Sequence, residues 1–163
     1  MLTVEPILDN VYLGNRVAVR ILLNDASTKG RVFALNVCGD RVKGARNDIF
    51  VKDNERVPVE EYVDFLRRAT AVLEAERARH EFVVVNCWAG MDRSAAVVVA
   101  WMALYKGYTV DGALQRVRNV KISSEEYFGG PEFEWPTLNE KNTRTGAKAL
   151  VQACRVLAGE RYS

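Results

Sequence analysis

The sequence predicts an α/β fold, a central and mostly parallel sheet flanked by helices, in one domain spanning residues 1–163. Runs of β-branched residues alternate along the chain with stretches of helical apolar spacing, the pattern of strands joined by helical crossovers. The 163 residues are 48% hydrophobic and 27% charged, which is ordinary globular composition and enough chain for a substantial single core. No linker-like composition and no internal repeat divides it.

The elements follow in order. Ile7 to Leu13 reads as a first strand, ended by Gly14-Asn15, and Ala18 to Leu23 as a short helix closed by the polar stretch from Asn24 to Gly30. Arg31 to Cys38 (RVFALNVC) is rich in β-formers and stops at Gly39-Asp40, so it reads as a buried strand. Asn47 to Val51 reads as another short strand. Pro58 opens a long helix whose apolar face is Tyr62, Phe65, Leu66, Ala69, Val72 and Leu73. Phe82 to Val85 is the central strand, followed by a helix from Ser94 to Lys106 with Gly107 as its C-terminal cap. Thr109 caps a further helix through Ala113, Leu114 and Val117, and Pro131 and Pro136 break the region after it. Thr145 to Ala158 is the closing helix.

The chemistry lies where the central strand meets its helix, in VVVNCWAGMDRS, Val83 to Ser94. A strand, a tight loop and a helix N-terminus in succession turn backbone N–H groups inward and add the helix dipole, an arrangement that cradles phosphate. Cys87 stands at the base of that loop, where these donors and Arg93 favour the thiolate, the nucleophilic form. The planar fork of Arg93 matches two oxygens of a phosphoryl group. Ser94 is placed to donate to the sulfur when it leaves. The loop itself is Trp88, Ala89, Gly90, Met91, Asp92 and Arg93, with Trp88 and Met91 offering an apolar rim.

This Cys-x5-Arg-Ser pattern resembles the cysteine-dependent protein phosphatases, specifically the small, atypical dual-specificity members. VYLGN near the start is similar to the Leu-Tyr-Leu-Gly turn of that family, and LNVC to its Leu-Asn-Val strand. The likeness runs from about Val4 to Val120, and the tail after Lys121 matches poorly. It implies a protein tyrosine phosphatase-like fold and metal-independent hydrolysis of phosphotyrosine in proteins, with phosphoserine and phosphothreonine as further substrates. The reaction would pass through a phosphocysteine on Cys87, with no cofactor. It also implies an acid on the loop before the long helix, nine residues ahead of an aromatic. Asp53, nine before Tyr62, fills that place. Asp48 and Glu55 are the nearby fallbacks.

Three positions depart from the family. Asn86 replaces the usual histidine before the nucleophile; it can hydrogen-bond the loop but carries no charge. Asp92 sits inside the loop, as in inositide phosphatases of the myotubularin type. No loop lysine accompanies Arg93, although inositide-directed relatives often have them. An inositide or RNA 5′-phosphate substrate, and a catalytically dead module that only binds phosphoproteins, are the alternative readings.

Other features exclude function classes. A net charge of +2 gives no sign of nucleic-acid binding or a polybasic membrane anchor. The first residues lack the basic start and apolar core of a signal peptide. The three cysteines, Cys38, Cys87 and Cys154, form no closely spaced pair, against a zinc site or a secreted disulfide framework. The single histidine, His80, is too isolated for a metal cluster. A cytoplasmic setting is therefore expected, and the resemblance implies phosphoprotein substrates.

Overall fold

The computed structural model describes residues 4–88, 92–124 and 137–160. Strands β1 (Val4–Leu8), β2 (Val11–Asn15), β3 (Val32–Asn36) and β4 (Phe82–Cys87) form one sheet in the order β1-β2-β4-β3. β4 lies in the middle and runs parallel to both β2 and β3, while β1 pairs antiparallel with β2 at the edge. This is the predicted α/β class, with a single antiparallel edge strand.

Among the described residues, five α-helices cover the sheet: α1 (Arg16–Asn24), α2 (Val59–Arg77), α3 (Arg93–Tyr105), α4 (Val110–Ser124) and α5 (Ala147–Ala158). α3 follows β4 directly and is buried on almost every side, which explains its unbroken apolar sequence. It packs against α2, α4 and α5, and the main core lies between these helices and the sheet. Trp101 on α3 is fully buried, and its indole N–H is satisfied by Glu74 Oε2 at 2.6 Å. The opposite sheet face is covered by α1, where Val19, Ala34, Val42 and Val84 make a smaller cluster. At the β1 edge the buried Lys121 Nζ lies 2.9 Å from Glu5 Oε1, tying α4 to the sheet.

Two segments differ from the sequence expectation. The apolar run Ile7 to Leu13 is a hairpin, not one strand, because Asp9 takes φ 52° and the chain reverses at Asp9-Asn10. Asn10 anchors that turn by donating to the carbonyls of Arg77 and His80. The segment Asn47 to Val51 forms no strand; only a bridge between Leu35 and Arg46 precedes it. Ile49 and Val51 are buried as core anchors, and Asn47 spends its amide on Val42 and Ala45 of its own loop. Pro131 and Pro136 lie outside the described residues. No helix among the described residues is long and apolar enough to cross a membrane.

Candidate active site

Parallel pairing of β4 with both neighbours places Cys87 at the carboxyl end of the central strand, where open α/β sheets present ligands to the helix N-termini. Its sulfur lies 3.2 Å from Ser94 Oγ in the first turn of α3, and both residues are buried. Nucleophile and hydroxyl are thus seven residues apart in sequence and in contact in space. The three residues Ala89, Gly90 and Met91, expected to line the phosphate cradle, lie outside the described residues.

Arg93 opens α3 and is held by the neighbouring loops. Its Nη1 donates to the carbonyl of Cys38 at 3.1 Å and to that of Val51 at 2.9 Å. The buried Nε has no hydrogen-bond partner among the described residues. Such a group costs free energy unless something accepts from it, and a phosphoryl oxygen is the acceptor a guanidinium matches best. The two backbone anchors fix the direction of the fork.

Asn86 is fully buried and donates from Nδ2 to Asn36 Oδ1 at 3.0 Å. Asn36 in turn donates to the carbonyl of Asp40 at 2.6 Å and to Asn47 Oδ1 at 2.7 Å. The thiol of Cys38 also donates to Asn36 Oδ1, at 3.0 Å. A chain of three amides therefore braces the 38–47 loop against the strand that carries the nucleophile. That loop holds Arg93 through Cys38 and holds Trp88 through Asp40. Trp88 projects outward, 55% exposed, with its indole N–H on Asp40 Oδ2 and the Arg16 guanidinium 5.2 Å from its ring centroid.

The loop that carries Asp53 is held by the long helix. The hydroxyl of Tyr62 donates to the carbonyl of Lys52 at 2.8 Å and also lies 3.3 Å from that of Asn54, pinning the residues on either side of Asp53. Burial, with the Asp53 carboxylate nearby, pushes the Tyr62 phenol up to about 12, so it stays a donor. Asp53 is half-buried and accepts from the backbone N–H of Gly146 at 2.6 Å. The negative charge of Asp53 also acts on the carboxyl of Asp92. Asp92 is buried and accepts from the Leu138 N–H at 3.1 Å. Burial first, and then the neighbouring Asp53 carboxylate, push Asp92 up to about 7.

β4, α3 and the 51–58 loop carry Cys87, Ser94, Arg93 and Asp53, and Asp92 directly precedes α3. Asp48 instead pairs with Arg46 on the surface, and Glu55 is exposed beside Arg56. Sequence reading missed Leu138 and Gly146, which come from the tail, and Asn36 and Asn47. The polar Asn36 in an apolar strand is the one local signal that such a brace exists. A cleft of about 590 Å³ adjoins the acid loop, lined by Phe50, Lys52, Arg56, Asp64 and Arg68 among others.

Solved structures share this architecture. A leucine rich repeat and phosphatase domain containing protein from Entamoeba histolytica superposes with a TM-score of 0.66 at 11% identity, over 96% of this chain and 91% of that one. Human DUSP28 gives 0.64 at 18% identity, over 93% and 91% of the two chains. OH1 from the Orf virus, described as a tyrosine phosphatase with triple substrate specificity, gives 0.61 at 14% identity, over 96% and 87%. At such identities these likenesses show the fold alone. A comparison with curated protein sequences finds no match. The profile of the dual specificity phosphatase catalytic domain matches residues 11–129, which include the thiol, the arginine and the acid loop, and the chain therefore belongs to the dual specificity phosphatase family.

Proposed function

We propose that the protein hydrolyses phosphotyrosine in proteins, and phosphoserine and phosphothreonine as further substrates, through a phosphocysteine on Cys87 and without a metal. The contact of Cys87 Sγ with Ser94 Oγ at 3.2 Å, beside an arginine with a buried free N–H, carries this reading. The thiolate attacks phosphorus while Arg93 holds the equatorial oxygens. Asp53 protonates the departing phenol or alcohol. Ser94 then donates to the sulfur as water displaces it, and Asp53 takes the water's proton by microscopic reversibility. Retention of nucleophile, clamp and acid speaks for turnover over mere phosphoprotein binding. The amide chain through Asn86 supplies the loop bracing that a histidine would otherwise give.

The test is release of p-nitrophenol from p-nitrophenyl phosphate, followed by phosphate release from tyrosine- and serine-phosphorylated peptides, each with and without a chelator. Chelator-insensitive turnover that disappears in Cys87→Ser, with phosphate still bound, is expected. Full turnover by Cys87→Ser would overturn the reading.

A further inference from the structure

Deepening that reading and resting on it, we propose that Arg16 and Trp88 form a second anchor for substrate, which holds the carboxylate of an acidic residue beside the phosphorylated one. The parallel register pairs Asn15 at the end of β2 with Cys87 at the end of β4, so Arg16 emerges beside Trp88, the first residue after the nucleophile. The Arg16 backbone N–H donates to the Trp88 carbonyl at 3.3 Å, and its guanidinium lies 5.2 Å from the centroid of the Trp88 ring. The indole N–H, donating to Asp40 Oδ2 at 3.1 Å, fixes the ring from another direction. β2 and β3 lie on opposite sides of β4. Arg93 is tied to the carbonyls of Cys38 and Val51 in the segments after β3, whereas Arg16 follows β2. Two guanidinium groups therefore flank the end of the nucleophile's strand from its two sides.

All the N–H donors of a guanidinium lie in its plane, so stacking one face on an aromatic ring leaves them in need of acceptors. The buried Arg16 Nε has none, and among the described residues no carboxylate lies within ion-pair distance of the group. Contact with the exposed Trp88 ring removes water from one face of the cation and holds its fork in one orientation. A carboxylate meets such a fork with two parallel hydrogen bonds. Asp40 selects for a single negative charge, because its own carboxylate sits on the edge of the same indole and a phosphate dianion would bring one charge too many. Neighbouring strands lie about 4.8 Å apart and an extended peptide advances about 3.4 Å per residue, so the acidic side chain belongs about one or two residues from the phosphorylated one. The substrates this anchor favours are proteins phosphorylated within acidic segments.

The experiment compares three phosphotyrosine peptides, identical except that the residues flanking the phosphotyrosine are Glu, Gln or Lys. Calorimetric binding to Cys87→Ser protein is the first readout and kcat/KM of the active enzyme the second. With Arg16 in place the Glu peptide should be preferred over the Gln peptide about tenfold, the worth of one charge-assisted hydrogen-bonded pair. Arg16→Gln should bring that ratio close to one, and Arg16→Glu should turn the preference toward the Lys peptide. Uniform weakening of all three peptides in Arg16→Gln, with the Glu preference intact, would show that Arg16 merely props Trp88 and would overturn the anchor. Equal binding of the Glu and Gln peptides to protein that keeps Arg16 would overturn it as well, whatever the folding of the Arg16 variants. The binding measurement needs no turnover, so the two readings fail separately. A Glu preference in a protein that hydrolyses nothing strikes the phosphatase reading alone, and turnover without a Glu preference strikes the anchor alone.

Discussion

The hydroxyl of Tyr62 fills the space that a β-carbon on Gly146 would occupy. The start of α5 therefore sits directly on the long helix, and only a residue without a side chain allows it. That close approach is what brings the Gly146 N–H to Asp53.

Gly146→Ala should accordingly destabilise the fold by about 1–3 kcal/mol, the usual cost of overpacking. It should also slow turnover of poor leaving groups more than of good ones, because the acid loop is displaced. Tyr62→Phe in the same chain should recover part of the stability. Thermal melts of the single and double variants measure the coupling.

Arg93→Lys keeps the charge but loses the fork and its anchoring to the carbonyls of Cys38 and Val51. A loss of about 10²–10³-fold in kcat, the worth of one preorganised donor, is expected with little change in melting temperature. Steady-state kinetics beside a thermal melt checks both halves.

Asn36→Ala leaves the buried Asn86 amide without its acceptor and releases the Asp40 carbonyl. The cost should be about 1–3 kcal/mol. The same change loosens the loop that holds Arg93 and Trp88, so kcat/KM should fall although Asn36 touches no substrate. Urea unfolding and hydrogen exchange over residues 38–47 read the two effects separately.

Alkali should unfold the protein through two groups. Burial pushes the Cys154 thiol from its ordinary value near 9 up to about 12, and Tyr62 rises from 10 to about 12. Both folded values lie above the unfolded ones, so this stability is intact below pH 9 and lost as pH climbs toward 12. For the fully buried Cys154 the slope is up to about 1.4 kcal/mol per pH unit. Denaturant midpoints at pH 8 and 10.5 should differ, and Cys154→Ala should flatten the difference.

Cys87, Arg93, Ser94 and Asp53 stand out in the sequence by short spacing: the thiol loop lies between one strand and one helix, and Asp53 stands nine residues before Tyr62. The backbone partners of Asp53 and Asp92 do not. Gly146 lies 93 positions from Asp53 and Leu138 lies 46 from Asp92, and no local pattern announces a contact across such distances. Asn47 to Val51 shows the opposite failure. Its β-forming run Ile49-Phe50-Val51 reads as a strand, but Ile49 and Val51 are buried as anchors of an irregular loop. Asp9-Asn10 likewise hid a reversal inside an apolar run, because the turn is secured by carbonyls of Arg77 and His80, far along the chain.

Leu138 and Gly146 follow Cys87, Arg93 and Ser94 in the chain, so they emerge from the ribosome after them. A nascent chain thus carries its thiol and guanidinium while Asp53 and Asp92 still lack those two backbone N–H groups. Docking of α5 closes the core and brings the Gly146 N–H to Asp53 in one event.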